Sequence, residues 1–392
     1  MSLKQSAIIC FLFICLSVVF YAWRYNFNFS AFVAAPKHLY DCVPEKFKYI
    51  DHFQSGGSDG GYNYLVAQDP LHLRNDEAPK CFYESVAYTY ERFLYHFFSW
   101  AIVFGHIDFL QYGMVLINIF AIFLICYFNY KISILFGFSN LTLVAMTLLP
   151  GIWQPLRFST VDLLWMSMIL GSIYFYEIKK PLGLTIFLSM AMLSRNLSIA
   201  FILVFFIDQV LSIKKIKPSF KMVASLIFPL IFYYGFFKKW QTLHTPTTSV
   251  IFNGEDYFTW PLSTFLNQAS ILLINHNWSS LLLASIGFIF FLSMLSIAIF
   301  IIFKKKRLYY EAVVVCGFTA MIFCLNNVAW GNSLIQISRV LLPCFTCFLL
   351  LVNKTYPRHL KTTAICFLFL SLFGLLWFVC SSKQILVSSL QQ

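Results

Sequence analysis

The chain has 392 residues, of which 59% are hydrophobic and only 11% charged, with 46 phenylalanines and a mean hydropathy of +0.74. Soluble domains run about 45–50% apolar and about a quarter charged, and a globule of this size has too little interior to hide such a load. Disorder is excluded by the same figures, since it needs low hydrophobicity and high net charge. A polytopic membrane protein is the class that remains.

The formal net charge of +12 would suggest a nucleic-acid partner for a soluble protein. Its placement says otherwise. Cationic residues bunch at Lys179–Lys180, at Lys214, Lys215, Lys217 and Lys221, from Lys304 to Arg307, and at Lys354, Arg358 and Lys361. Each bunch sits between apolar runs, as the positive-inside rule expects of cytoplasmic loops. The expected partner is a lipid bilayer, with no nucleic acid.

In chain order the apolar runs fall at 7–23, 111–128, 132–150, 160–177, 182–193, 197–212, 222–237, 279–303, 311–326, 338–352 and 363–380. A crossing helix needs about 20 apolar residues, about 17 at the least. The 182–193 run is shorter than that. Residues 1–23 have the look of a secretory leader, but a 17-residue apolar core exceeds the usual stretch of about 7–15, so an uncleaved first helix is expected. Segment 93–104 is also short, and keeping Lys131 with the other cations places it outside, as an amphipathic or re-entrant helix.

Eleven crossings from an inside N-terminus put 15 of the 28 Lys and Arg on the inner side, with only Glu177, Asp208 and Glu311 of the 16 acids. The expected fold is therefore all-α: one membrane domain over residues 1–392, about eleven transmembrane helices and a large first outer loop, 24–92. No internal repeat or low-complexity tract breaks it up.

That outer loop is the long polar stretch of the chain and holds nine of its 16 acids. Its Ser55-Gly56-Gly57-Ser58-Asp59-Gly60-Gly61 turn lets the backbone bend tightly and approach a ligand. Tyr62 and Tyr64 follow, with aromatic faces that suit sugar rings, and then Asp69 and Pro70. Near the outer boundary stand Arg157, before helix 160–177, Asp162 just inside it, Arg195 at an outer turn, and Arg339 at the start of 338–352. Ionisable groups at membrane depth are costly and mark a site or a pairing partner. Arginine's planar fork suits phosphate oxygens, although snorkelling or pairing with Asp162 would account for any single one. Taken together, carboxylates and arginines fit a phosphate-linked donor and a hydroxyl acceptor.

Motifs of soluble enzymes are missing: no P-loop, GxGxxG, GxSxG or HExxH occurs. His52, His96, His106 and His276 map outside without metal spacing and read as structural. Nine of the 11 cysteines lie in or beside apolar runs, and Cys344 and Cys347 read as packing despite their CxxC spacing. Cys42 and Cys81 share the outer loop, where they could pair in an oxidising compartment.

The stretch Asp59-Gly60-Gly61-Tyr62-Asn63-Tyr64-Leu65-Val66-Ala67-Gln68-Asp69-Pro70 resembles the first-outer-loop signature of a bacterial group of GT-C glycosyltransferases. Tyr90-Glu91-Arg92-Phe93-Leu94-Tyr95 resembles the group's next block. Weaker echoes are Arg157 with Asp162, Leu193-Ser194-Arg195, and Ser338-Arg339-Val340-Leu341-Leu342-Pro343. The departures are Gly61 where glutamine is usual, His96 where proline is usual, and Asn196 where an acid often follows the arginine.

The resemblance implies transfer of a sugar from a polyprenyl-phosphate donor to a glycan, lipid or protein acceptor on the non-cytoplasmic face, in the bacterial inner membrane. It implies Asp59 as catalytic acid and Asp69 as its support or fellow metal ligand. Arg92, Arg195 and Arg339 would hold the donor phosphate, with Arg157 beside them. Some members use a divalent cation and others do not. Two rival functions share these residues. A transporter or flippase of a lipid-linked or anionic solute expects charges at mid-membrane and inverted repeats. A surface-polysaccharide polymerase or ligase expects its large loop late in the chain.

Overall fold

The structure is a computed structural model and describes residues 1–33, 59–71, 92–212, 220–239, 270, 278–305, 309–324, 339 and 341–380. All regular elements among them are helical. In chain order they are α1 (Leu3–Arg24), α2 (Asp59–Gln68), α3 (Phe93–Ile102), α4 (Leu110–Phe136), α5 (Asn140–Thr147), α6 (Trp153–Phe158), α7 (Asp162–Glu177), α8 (Pro181–Ser194) and α9 (Ser198–Ser212). Then come α10 (Phe220–Leu230), which continues as a π-helical turn over Ile231–Phe237, α11 (Trp278–Lys305), α12 (Tyr310–Cys324), α13 (Leu342–Thr355) and α14 (Leu360–Cys380).

Five helices among the described residues are long and apolar enough to cross a membrane: Leu3–Arg24, Ile107–Phe136, Phe220–Phe237, Phe288–Lys305 and Pro357–Leu376. How α1 is built shows why. Ser2 and Gln5 close its N-terminus reciprocally, each side chain accepting from the other's backbone N–H. Cys10, Ile14, Val18 and Tyr21, at helical spacing, form the packed stripe. The opposite stripe carries Leu12 and Leu16, which are 52% and 67% exposed. A helix apolar all round with one face unpacked is stable only against lipid.

Two boundaries differ from the sequence reading. A break was expected between residues 128 and 132, but α4 runs unbroken through Lys131 and stops at Gly137, whose left-handed φ of 65° ends the helix. The expected 132–150 crossing is likewise not one helix. It is replaced by the short α5, a turn at Pro150, and α6. Broken backbone at membrane depth needs internal hydrogen-bond partners, and α4 supplies them. Asn129 Nδ2 donates to the Met146 carbonyl at 2.9 Å, and Asn118 Nδ2 to the Pro155 carbonyl at 3.2 Å.

The bundle has two chemically distinct ends. At one, Asn140 Nδ2 donates to the Met1 carbonyl at 2.6 Å and Asn353 Nδ2 to the Phe136 carbonyl at 3.3 Å. Lys354 lies over the Phe136 ring, and Lys304 and Lys305 over Tyr356. Lys179 and Lys180 follow the end of α7 on this side. The other end gathers α2, α3, Tyr21, Arg157 and the start of α7. Helix α3 spans ten residues, about 15 Å of rise, half of what a crossing needs.

Candidate functional site

The site begins with a helical hairpin. Helices α7 and α8 are joined by a tight turn at Ile178–Lys180, and glycines let them approach closely. A Cβ on Gly171 would strike the Phe187 ring, and one on Gly183 would strike the Phe175 ring. Small residues facing large ones are how membrane helices pack closely. Both contacts belong to one antiparallel register, and the same register carried to the open end of the hairpin sets residue 195 across from residue 162.

There Asp162 and Arg195 form a buried ion pair. Asp162 is 1% exposed. Its Oδ2 accepts from Thr160 Oγ1 at 2.8 Å and lies 3.6 Å from an arginine nitrogen of Arg339. Arg92, 5% exposed at the start of α3, adds its positive field to the same carboxylate. Arg195 is held from behind by its guanidinium lying 5.4 Å from the centre of the Trp165 ring. Trp165 Nε1 in turn donates to Ser198 Oγ, and Ser198 Oγ–H donates to the Arg195 carbonyl, each at 2.8 Å. The cluster thus brings two arginines to one carboxylate, with Arg92 near enough to act on it.

Arg157 is 1% exposed and packs its guanidinium beside the rings of Phe158 and Tyr21, at 5.1 and 6.0 Å. It lies on the short α6 immediately before Asp162's turn. The structural pairing of Arg157 with Asp162 is not what forms: Asp162 pairs with Arg195, which the hairpin delivers, and with Arg339, three residues before α13.

The Asp59–Gln68 stretch is a buried helix rather than a flexible turn of an outer loop. Asn63, Tyr64, Leu65, Val66 and Ala67 are each at most 3% exposed. Gly60 lies so close to the carbonyls of Phe158 and Val33 that no side chain fits there. Asn63 Nδ2 donates to the Ser159 carbonyl at 3.2 Å, where Ser159 bends the chain with a φ of 46°. These contacts set the first turn of α2, which begins at Asp59, against the turn that leads into Asp162. The side chain of Asp59 lies outside the described residues.

Asp69 stands just past the far end of α2. Ten residues of helix separate it from Asp59 by about 15 Å, too far for the two to share one ion at ligand distances of about 2–2.5 Å. Among the described residues no group of three or more His, Cys, Asp or Glu is placed to hold a metal. Tyr62 is partly buried against the core. Tyr64 is buried, and its hydroxyl donates to the Ile107 carbonyl at 3.4 Å, so its face is used in packing rather than offered at the arginines. Cys42, Cys81, His52 and His276 lie outside the described residues. Cys344 and Cys347 are buried and unbridged.

Sequence reasoning missed the central position of Asp162 and the parts played by Asn63 and His96. A lone carboxylate inside a long apolar run was the available signal for the first. For the others there was only the presence of polar side chains among aromatic ones.

No protein-family model, curated protein or solved structure matches the chain. The class is defined by the fold and cluster themselves: a helical, multi-pass membrane protein with a buried aspartate–arginine cluster at the end opposite Lys179, Lys304 and Lys354.

Proposed function

We propose that the chain is a GT-C-type membrane glycosyltransferase with about eleven crossings, moving a sugar from a polyprenyl-phosphate donor to a glycan, lipid or protein acceptor. The observation that carries this reading is the convergence of Arg195, Arg339 and Arg92 on the single carboxylate of Asp162, beside the docked start of α2. Guanidinium groups gathered at the boundary of a membrane bundle suit the phosphate of a lipid carrier. The lysine-bearing end faces the cytoplasm by the positive-inside rule. The arginine end, with the 24–92 loop, then faces outward across a bacterial inner membrane.

In this reading Asp59 accepts the proton of the acceptor hydroxyl as its oxygen attacks the anomeric carbon. The bond from that carbon to the phosphate oxygen breaks, and the arginines stabilise the negative charge that the leaving polyprenyl phosphate gains. Arg157 reinforces the positive field, Tyr62 offers a ring to the sugar, and Asp69 orients the loop.

Sugar transfer from a polyprenyl-phosphate donor, measured in membranes, tests the assignment. Asp59→Asn keeps the shape and removes the proton acceptor, so the rate should fall about 10²- to 10⁴-fold with the protein still inserted. Near-normal transfer by that variant would remove Asp59 from catalysis and put the transporter reading ahead.

A further inference from the structure

His96 is fully buried on α3, one turn beyond Arg92. Its hydrogen bonding fixes which ring nitrogen carries the proton. The Ser159 carbonyl can only accept, so the amide nitrogen of Asn63 must face it, 3.2 Å away. The amide oxygen of Asn63 then faces His96 Nε2 at 3.0 Å. That oxygen can only accept, so Nε2 bears the hydrogen. In a neutral imidazole the other nitrogen, Nδ1, is left with a lone pair and no proton. Nδ1 is buried and has no hydrogen-bond partner. Burial and the neighbouring Arg92 guanidinium push the ring down to about 3, so the neutral form persists at any physiological pH. Metal chemistry suits this nitrogen poorly, because the same guanidinium repels cations. What it can take is a hydrogen-bond donor.

We infer that His96 Nδ1 accepts a hydroxyl of the ligand held at the arginine cluster, so that His96 selects a glycosyl phosphate over a bare phosphate. Asn63 connects the two features: it bonds His96 Nε2 and the carbonyl of Ser159, whose neighbour Thr160 donates to Asp162. Arginines recognise phosphate oxygens, which at neutral pH are acceptors. A buried lone pair rejects a ligand that brings it no donor, because such an atom is costly to leave unpaired. A sugar supplies hydroxyls where a phosphate dianion has none. The inference rests on the transferase reading and deepens it by naming what distinguishes the donor from its own leaving group.

The test is binding of two probes to the full-length protein in nanodiscs: a polyprenyl phosphate and the same lipid carrying one hexose. Wild type should prefer the hexosyl lipid. His96→Gln keeps an amide N–H for Asn63 and removes the Nδ1 acceptor. It should lose about tenfold of that preference, the scale of one buried hydrogen bond, with bare-lipid affinity unchanged. His96→Asn, whose amide oxygen stands near the place of Nδ1, should recover part of it. An undiminished preference in His96→Gln overturns the inference while leaving the transferase reading intact. Binding of neither lipid by wild type overturns the transferase reading and this ligand with it. Nitrogen-15 NMR of histidine-labelled protein reads the tautomer independently. Protonation on Nδ1 rather than Nε2 would overturn the inference without reference to any ligand.

Discussion

Glu177 and Lys354 meet at 2.8 Å at the lysine-bearing end of the bundle, each fifteen residues along the chain from a member of the other ion pair, Asp162 and Arg339. Fifteen residues along α7 give about 22 Å between the two pairs. Each end of that helix is therefore clamped by an ion pair to the segment that contains α13. Both clamps include a third charge: Arg195 at the Asp162 end, and Glu311 at the other, where its Oε1 is 2.5 Å from Lys354 Nζ. At one end two arginines meet an acid, and at the other two acids meet a lysine.

Loss of the acid at the first clamp strands its arginines. Asp162→Asn should destabilise the protein by about 3–5 kcal/mol, the scale for an uncompensated buried charge. Adding Arg339→Gln to that variant should recover part of the loss. Thermal unfolding in detergent checks both, and a double variant no more stable than the single one would mean that Arg339 does not depend on Asp162.

At the second clamp the order of two substitutions is the test. Lys354→Met leaves Glu311, which is fully buried, without its cation, and should cost about 3–5 kcal/mol. Glu177→Gln leaves Lys354 with Glu311 and keeps an acceptor for the Tyr310 hydroxyl, which now donates to Glu177 at 2.8 Å, so the cost should be nearer 1 kcal/mol. Equal losses on thermal unfolding would contradict the shared-lysine arrangement.

Gly60→Ala puts a methyl group against two backbone carbonyls, of Phe158 and Val33, neither of which can swing aside. A loss of about 1–3 kcal/mol is expected, with faster hydrogen exchange in α2. Gly235→Ala, where the nearest atom to the new Cβ is Ile231 at 3.9 Å, serves as the neutral control.

The buried imidazole predicts a pH effect with a definite sign. Its folded value of about 3 lies below the ordinary 6.5. Between those two values the unfolded chain binds a proton that the folded chain refuses. Stability should therefore fall as pH drops below about 6.5, by up to about 1.4 kcal/mol per unit. Melting curves at pH 7.5 and pH 5 should differ more for wild type than for His96→Gln. An equal acid sensitivity would mean that His96 is not the group responsible.

Cysteine labelling from outside intact cells checks the orientation. A reporter at position 57 should label and one at position 180 should not. The reverse would turn the bundle over and move the arginine end to the cytoplasm.

A multi-pass helical membrane protein was legible from composition and run length alone, because these act on every residue and need no knowledge of neighbours. In the structure Met1, Lys304 and Lys354 lie at one end of the bundle, and Arg157, Arg195 and Arg339 at the other. Which of these side chains meet depends on packing between distant segments. Arg195 reaches Asp162 through the register of a glycine–phenylalanine hairpin, and Arg339 comes from 177 residues further along the chain. The breaks in α4–α6 escaped the sequence reading because Asn118 and Asn129 satisfy the freed carbonyls from another helix, a compensation that leaves no local pattern. The Asp59–Gln68 helix lies within what the sequence offers as a glycine-rich turn of an outer loop, because its burial depends on contacts with Phe158, Ser159 and Val33, and periodicity along ten residues carries no record of contacts made nearly a hundred residues away.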